Sequence, residues 1–366
     1  MKKGLILVLT LMLLMTAALS ETGDPDLIED TVTSESGIYE VAFVADVGDL
    51  KDRSFNEGTW NGVKSFAAER GLTYKYYIPA NGVQTTDDDR FEAMAAAAEG
   101  GAKVVVAAGF LQHNALKRAA EAYPDVIFLF NDGDAMGLDN VLSYSFHEEQ
   151  CGYLAGYAAV RGGFEQLGFS GGGGGTNAAC CRYGYGYIQG ANAAAVEMGK
   201  HISIRFSWAY GASFSGSADL QMLISSWYAT GTEIVFACGG AMFESISAAA
   251  AANDGYVIGV DVDQSYLSDT VLTSALKGIT SGTRQMLEKV YDGSWKELNG
   301  FVTLGISEDA VGLPIETWSM ENFTIGEYNA IVEAMKSGAL QVDADAATGD
   351  PNVRGPWSNV TVDYIR

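Results

Sequence analysis

A polar stretch rich in carboxylates and hydroxyls follows a short apolar run near the amino terminus. Residues 41–45 read VAFVA, polar residues then dominate from Asp46 to Asn56, and a helical pattern begins at Glu57. This order predicts a buried strand, a loop at its carboxyl end and a helix. Ligands of open α/β sheets bind outside the carboxyl ends of strands. We therefore expect a ligand to be held near five side chains of this loop, those of Asp46, Asp52, Ser54, Phe55 and Asn56.

The same loop also has a purely structural interpretation. Ser54 and Glu57 have the spacing of a capping box, in which the two side chains satisfy backbone N–H groups at the start of a helix. Asp and Asn are common turn residues. Phe55 favours the ligand interpretation, because an aromatic residue between polar loop residues has no role in the apolar period of the helix.

Other predicted strand ends carry side chains with related chemistry. These residues are Phe110, Asp132, Phe214, Gly239, Gly240, Asp261, Asp263 and Lys277. Strand-end carboxylates could perform acid–base hydrolysis, which needs perturbed pKa values, or simply accept hydrogen bonds from a polyol. Phe55 and Phe214 lie in different halves of the chain and could stack on both faces of a flat heterocycle, at ~1–3 kcal/mol per ring contact.

Strands and helices alternate from residue 38 in two halves of similar size, which predicts an α/β protein with mostly parallel sheets. The net charge of −24 argues against nucleic acids and anionic membranes as partners.

Residues 1–20 have the basic start, apolar core and small-residue end of a secretion signal. The acidic residues 21–37 predict a flexible linker. A lipid anchor is not supported, because the first cysteine is Cys151.

Neither a metal nor an organic cofactor is expected. The four cysteines (Cys151, Cys180, Cys181 and Cys238) and three histidines (His113, His147 and His201) have no metal-ligand spacing. Gly171–Gly175 is not followed by the Gly-Lys-Ser/Thr ending of a phosphate-binding loop, so a flexible turn is the better interpretation. With no serine nucleophile elbow either, the chain is not expected to be an enzyme.

Several stretches, in order, resemble the basic membrane protein family, whose members are substrate-binding proteins of ABC importers similar to the purine nucleoside receptor. These stretches are VADVGDLKDRSFNEGTWNG, GFLQHNALKRAAEAYPDVIF, YGYGYIQGA, YGASFSGS, VFACGGA, VIGVDVDQ and SDTVLTSALKG. The resemblance runs from about residue 38 to about residue 340. One departure is the loop GGGTNAACC, which lacks the proline common in the family.

The resemblance implies a type I periplasmic-binding-protein fold, in which two Rossmann-like lobes close on a ligand about a hinge. It implies that Phe55 and Phe214 sandwich the base, that Asp132 contacts the base edge and that Asp261 and Lys277 contact the ribose. The cleft would also be lined by Asp46, Ser54, Asn56, Phe110, Gly239 and Gly240. We expect lobes over 38–146 with 268–298 and over 147–267 with 299–318, followed by a tail over 319–366.

The expected function is extracytoplasmic binding of a purine nucleoside (adenosine, guanosine or inosine) and its delivery to the permease subunits of an ABC transporter by a monomer. Three alternatives remain open at this point. They are a ligand sensor of the same fold, a sugar-binding protein and a nucleoside hydrolase that uses the strand-end aspartates.

Overall fold

Two sheets flanked by helices organise the chain. The computed structural model describes residues 25–45, 47, 49–345, 349–353 and 355–366. The strands are β1 (Val41–Val44), β2 (Tyr74–Tyr77), β3 (Val104–Ala108), β4 (Ile127–Asn131), β5 (Val141–Phe146), β6 (Gln166–Gly171), β7 (Ile202–Ser207), β8 (Ile234–Cys238), β9 (Tyr256–Asp261), β10 (Val271–Lys277), β11 (Phe301–Leu304), β12 (Val311–Gly312) and β13 (Val360–Ile365). The helices are α1 (Phe55–Glu69), α2 (Asp87–Glu99), α3 (His113–Ala122), α4 (Glu148–Gly162), α5 (Ala178–Met198), α6 (Ala218–Ala229), α7 (Met242–Ala251), α8 (Ile279–Asp292) and α9 (Ile325–Lys336).

Each sheet forms the centre of one lobe. The first sheet has the order β11–β5–β4–β3–β1–β2, and its strands are parallel. The second has the order β12–β10–β9–β8–β6–β7–β13 and is parallel except for the antiparallel pair β10–β12. Both faces of β1 and β3 are covered, so these strands are continuous apolar runs without alternation. The predicted α/β class with parallel sheets and two lobes is confirmed.

The sheet membership of two strands differs from the lobe boundaries expected from the sequence. The segment 268–298 was assigned to the first lobe, but its strand β10 pairs with β9 in the second sheet, and only α8 packs on the first lobe, against α1. Conversely, β11 lies within 299–318 yet pairs with β5 in the first sheet. The expected tail ends in β13, which pairs with β7 as an edge strand of the second sheet. Apolar periodicity predicts a strand but not the sheet that it joins.

The chain passes between the sheets at three places, between β5 and α4, between β10 and α8, and between β11 and β12. Immediately after the first crossing, α4 packs closely against α5. A Cβ atom added at Gly186 or Gly190 of α5 would lie 2.1 or 1.9 Å from the carbonyl oxygens of Glu149 and Tyr153 of α4. Only glycine permits this approach of two helix backbones. The contact fixes the first turns of α4 against the middle of α5.

Within the predicted linker, 21–37, residues 28–30 pack on the first lobe. Asp30 Oδ1 accepts hydrogen bonds from Trp60 Nε1 at 2.8 Å and from Lys64 Nζ at 2.9 Å. The Lys64 side chain is 1% exposed, so its ammonium needs an acceptor. Residues 1–24, including the predicted secretion signal, lie outside the described residues.

Asp52 caps α1, and the capping box that the spacing of Ser54 and Glu57 allows does not form. The two carboxylate oxygens of Asp52 accept hydrogen bonds from the backbone N–H groups of Ser54 (2.9 Å), Asn56 (3.0 Å) and Glu57 (3.1 Å). Ser54 occupies the N-cap position but makes no capping bond through its side chain. Glu57 accepts instead from the N–H of Arg53, at 2.8 Å. The loop therefore folds around Asp52.

We expect Asp30→Ala to lower the free energy of unfolding by about 2–4 kcal/mol, because it removes the carboxylate partner of the buried Lys64 ammonium and the acceptor of the Trp60 indole N–H. Glu35→Ala removes the same charge from an exposed position of the same segment and is the control. Urea denaturation measures both. Equal stability of the two variants would contradict the structural role of Asp30.

We expect Asp52→Ala to lower the free energy of unfolding by about 1–2 kcal/mol, the usual loss for a helix cap. Asp49→Ala, with the same change of charge in the same loop, is the control and should change it by less than about 0.5 kcal/mol. Thermal unfolding monitored by circular dichroism compares them. If Asp49→Ala proved the more damaging of the two, the capping role of Asp52 would be refuted.

Candidate functional site

A cavity with about 600 Å³ of empty space lies between the two lobes. This volume includes space that is open to solvent. The wall includes nine of the eleven binding residues predicted from the sequence, namely Phe55, Asn56, Phe110, Asp132, Phe214, Gly239, Gly240, Asp261 and Lys277. Ser54 is fully buried behind the wall. Asp46 lies outside the described residues.

The predicted residues meet because most of them follow the carboxyl ends of parallel strands. Asp132 follows β4 and Phe110 follows β3 in the first sheet, whereas Gly239 and Gly240 follow β8 in the second. Asp132, Phe214 and Asp261 have positive φ angles of 54°, 57° and 67°. This conformation is uncommon for residues other than glycine and is frequent at ligand sites.

Sequence reasoning left out several wall residues, which are Val47, Asp52, Gly109, Asn177, Ala179, Cys180, Tyr183, Cys238 and Val260. Asp52 was placed in the binding loop but not among the final binding residues. Asn177, Cys180 and Tyr183 are spaced three apart at the start of α5, so they lie on one face of the helix. The sequence contains this spacing, but the glycine run before it made the start of the helix difficult to predict. Asn177 caps this helix, since its side chain accepts from the N–H of Cys180 at 2.9 Å.

A hydrogen bond between Ser54 and Asp261 connects the two lobes. Ser54 Oγ donates to Asp261 Oδ2 at 2.5 Å, and the hydroxyl of Tyr183 donates to Asp261 Oδ1 at 3.3 Å. Burial raises the pKa of Asp261, against the attraction of Lys277 and these two hydrogen bonds. Asp261 is thus an oriented acceptor whose two oxygens already have partners.

Lys277 is a buried cation on the cavity wall. Its Nζ lies 2.5 Å from Asp132 Oδ2 and 3.0 Å from Glu148 Oε1. The ammonium is also 5.2 Å from the ring centre of Phe55 and 4.9 Å from that of Phe146, within the range of cation–π contacts. Burial opposes the charged form, but the neighbouring carboxylates outweigh it and raise the pKa of Lys277. The side chain is therefore charged at neutral pH.

Asp132 combines an ion pair with an unused acceptor. Burial raises the pKa of Asp132 to about 6, although Lys277 acts in the opposite direction. Its Oδ2 is held by Lys277, whereas its buried Oδ1 has no hydrogen-bond partner among the described residues. A buried acceptor of this kind is costly unless it is paired. Since Asp132 lies on the wall, an N–H or O–H group of a ligand would satisfy it.

The glycine run Gly171–Gly175 makes room for aromatic rings. A Cβ atom at Gly172 would lie 2.4 Å from the ring of Phe214, and one at Gly171 would lie 2.1 Å from that of Trp208. Residues Gly173–Gly175 form a short 3₁₀ turn. The N–H groups of Gly172 and Gly173 donate to the carbonyls of Cys238 and Gly211, so they are not available to a phosphate. The run is a turn, as the sequence predicted, and it supports Phe214.

No helix in the described part of the chain combines the length and the apolar character needed to cross a membrane. Within that same part, no group of three or more His, Cys, Asp and Glu side chains has the arrangement of a metal site. The four cysteines are buried thiols, and Cys180 and Cys238 are on the cavity wall.

Known proteins share both the sequence pattern and the fold. The ABC transporter nucleoside-binding protein BmpA of Lactococcus lactis is 27% identical over 344 residues, which cover 88% of this chain and 94% of the relative. An uncharacterized lipoprotein of Pyrococcus abyssi is 25% identical, with coverage of 76% and 70%. A solved ABC transporter solute-binding protein of Aeropyrum pernix has the same fold, with a TM-score of 0.67, 22% identity and coverage of 84% and 88%.

The family evidence extends over most of the chain. The family described as PnrA-like ABC transporter substrate-binding proteins matches residues 39–345, a range that contains every strand of the two sheets except β13 and every described residue of the cavity wall. This range agrees with the resemblance seen in the sequence from about residue 38 to about residue 340. The chain therefore belongs to the PnrA-like family of ABC transporter substrate-binding proteins.

Proposed function

We propose that this protein is an extracytoplasmic receptor that binds a purine nucleoside and delivers it to the permease of an ABC importer. The observation that carries the proposal is the composition of the cavity wall. Phe55 comes from the first lobe and Phe214 from the second. Each offers a ring to a flat heterocycle, so the base of a nucleoside would be gripped by both lobes.

Polar groups of the wall suit the rest of a nucleoside. Asp132 offers an unpaired Oδ1 atom, which accepts from a ring N–H or a hydroxyl. Asp261 and Lys277 lie on the same wall and provide an acceptor and a donor for ribose hydroxyls. None of these contacts requires a bond to be broken. We therefore favour binding and release over hydrolysis by the same aspartates.

Lobe closure would couple binding to transport. The wall draws on both sheets, so only the closed arrangement offers the ligand its full set of contacts. A ligand shifts such an equilibrium by the difference in its contacts with the two states. We propose that the closed, loaded monomer is the form that the permease recognises. Two findings support this proposal, the membership in an ABC transporter family and the match to a relative named as a nucleoside-binding protein.

We expect purine nucleosides, but not free ribose, to stabilise the protein against heat. Ribose has no aromatic ring to stack between the two phenylalanines, whereas a nucleoside at a hundred times its dissociation constant should add about 2.7 kcal/mol to the free energy of unfolding. Thermal-shift measurements with adenosine, guanosine, inosine, ribose and glucose provide the comparison. Equal shifts for ribose and adenosine would refute stacking, and glucose as the sole stabiliser would favour a sugar receptor. Release of free base from inosine would identify a hydrolase.

We expect Phe214→Ala and Phe55→Ala each to weaken nucleoside binding by about 1–3 kcal/mol, the loss of one stacking face. The double variant should show coupling, because both rings contact one ligand. Phe164→Ala removes a comparably half-buried ring that packs on Tyr256 away from the cavity, and it should leave affinity unchanged. Calorimetric titration measures all four variants. Parental affinity in Phe214→Ala would exclude the aromatic sandwich.

A further inference from the structure

Glu148 is a fully buried carboxylate that does not belong to the cavity wall. It is the first residue of α4, directly after the chain crosses from the first sheet to the second. Its Oε2 accepts a hydrogen bond from Arg182 Nε at 2.6 Å, and its Oε1 lies 3.0 Å from Lys277 Nζ. The close contact of α4 with α5 holds Arg182, on α5, at this distance. Arg182 therefore fixes one carboxylate oxygen of Glu148, and the other oxygen faces Lys277.

The position of Lys277 depends on having two carboxylates. Asp132 belongs to the first lobe and Glu148 to α4, and the ammonium lies between them at 2.5 and 3.0 Å. With a single carboxylate, a buried ammonium would be drawn toward both of its oxygens. The second carboxylate holds Lys277 back, so that it engages Oδ2 of Asp132 while Oδ1 lacks a partner among the described residues.

The charges around Asp132 are also balanced by Glu148. Lys277 from β10 and Arg182 from α5 favour ionised Asp132, whereas Glu148 from α4 opposes it. Asp261 from β9 also acts on Lys277. Without the negative charge of Glu148, the positive charges of Lys277 and Arg182 act more strongly on Asp132. They then stabilise its carboxylate form, and Lys277 is drawn closer to it.

We infer that Glu148 is a positioning residue of the binding site, which holds Lys277 and thereby keeps one oxygen of Asp132 available to the ligand. The inference rests on the proposed function, because it describes how the nucleoside site is prepared. Glu148 does not touch the ligand. It acts through Lys277, and its effect is distinct from that of a residue that only stabilises the hinge.

The decisive variant is Glu148→Gln, which keeps the shape and removes the charge. We expect nucleoside affinity at neutral pH to fall at least about tenfold, since Asp132 Oδ1 is then shared with Lys277. We also expect the titration midpoint of the Asp132 carboxyl to move down by roughly one pH unit. Glu149→Gln is the matched control. It removes a charge from the neighbouring buried glutamate, which pairs with His147 and lies 4.0 Å from Arg182 but forms no ion pair with Lys277 among the described residues. Both quantities should therefore change much less than in Glu148→Gln.

The carboxyl titration, followed by ¹³C NMR and assigned with Asp132→Asn, needs no nucleoside. It therefore tests Glu148 even if the parent protein binds none, an outcome that would refute the proposed function. An Asp132 midpoint that is the same in the parent and in Glu148→Gln would overturn the inference. If Glu148→Gln does not fold, Glu148→Asp replaces it, because it keeps the charge but withdraws it from Lys277. We expect about fivefold weaker binding, and parental affinity in that variant would also overturn the inference.

Discussion

The buried ammonium of Lys277 is the interaction on which the arrangement of the cleft depends. The residue is 3% exposed and ends β10, one residue before the chain crosses back to the first lobe. A cation removed from water in this way costs several kcal/mol unless carboxylates surround it. Asp132, which follows β4, and Glu148, at the start of α4, meet that need. One of these two carboxylates, Asp132, also lies on the cavity wall, so the group that compensates Lys277 is an acceptor for the ligand as well.

Glycines determine where those charges lie. Gly186 and Gly190 let α5 approach the backbone of α4 so closely that no other residue fits at either position. Arg182 and Tyr183, one turn earlier on α5, therefore reach Glu148 and Asp261. The sequence stretch YGYGYIQGA thus has two functions. Two of its glycines, Gly186 and Gly190, form the helix contact, and its first tyrosine orients an acceptor of the site.

The sequence predicted those parts of the site that depend on local pattern. Strand ends are visible as apolar runs that stop at polar residues, and this pattern located Phe55, Asp132 and Asp261. It could not predict contacts between distant residues. Ser54 has the local pattern of a helix cap, but its hydroxyl bonds to a carboxylate 207 positions away. For the same reason β11 was assigned to the wrong lobe, because strand pairing over more than 150 residues leaves no periodic signal.

Asp132, Asp261 and Lys277 both join the lobes and line the cavity. Ser54 bonds to Asp261, and Lys277 pairs with Asp132, in each case across the cleft. Opening the lobes would break both contacts and return two aspartates to water, where the pKa of each would fall, since burial is what raises it. Closure of the lobes therefore gains these two contacts but requires the desolvation of both aspartates. A ligand stabilises the closed form through groups that have no partner within the described part of the protein. These are above all Asp132 Oδ1 and the two aromatic rings of the wall. We expect the site to select ligands that can donate a hydrogen bond to Asp132 Oδ1. A ligand without such a donor would leave this buried acceptor unsatisfied in the closed form.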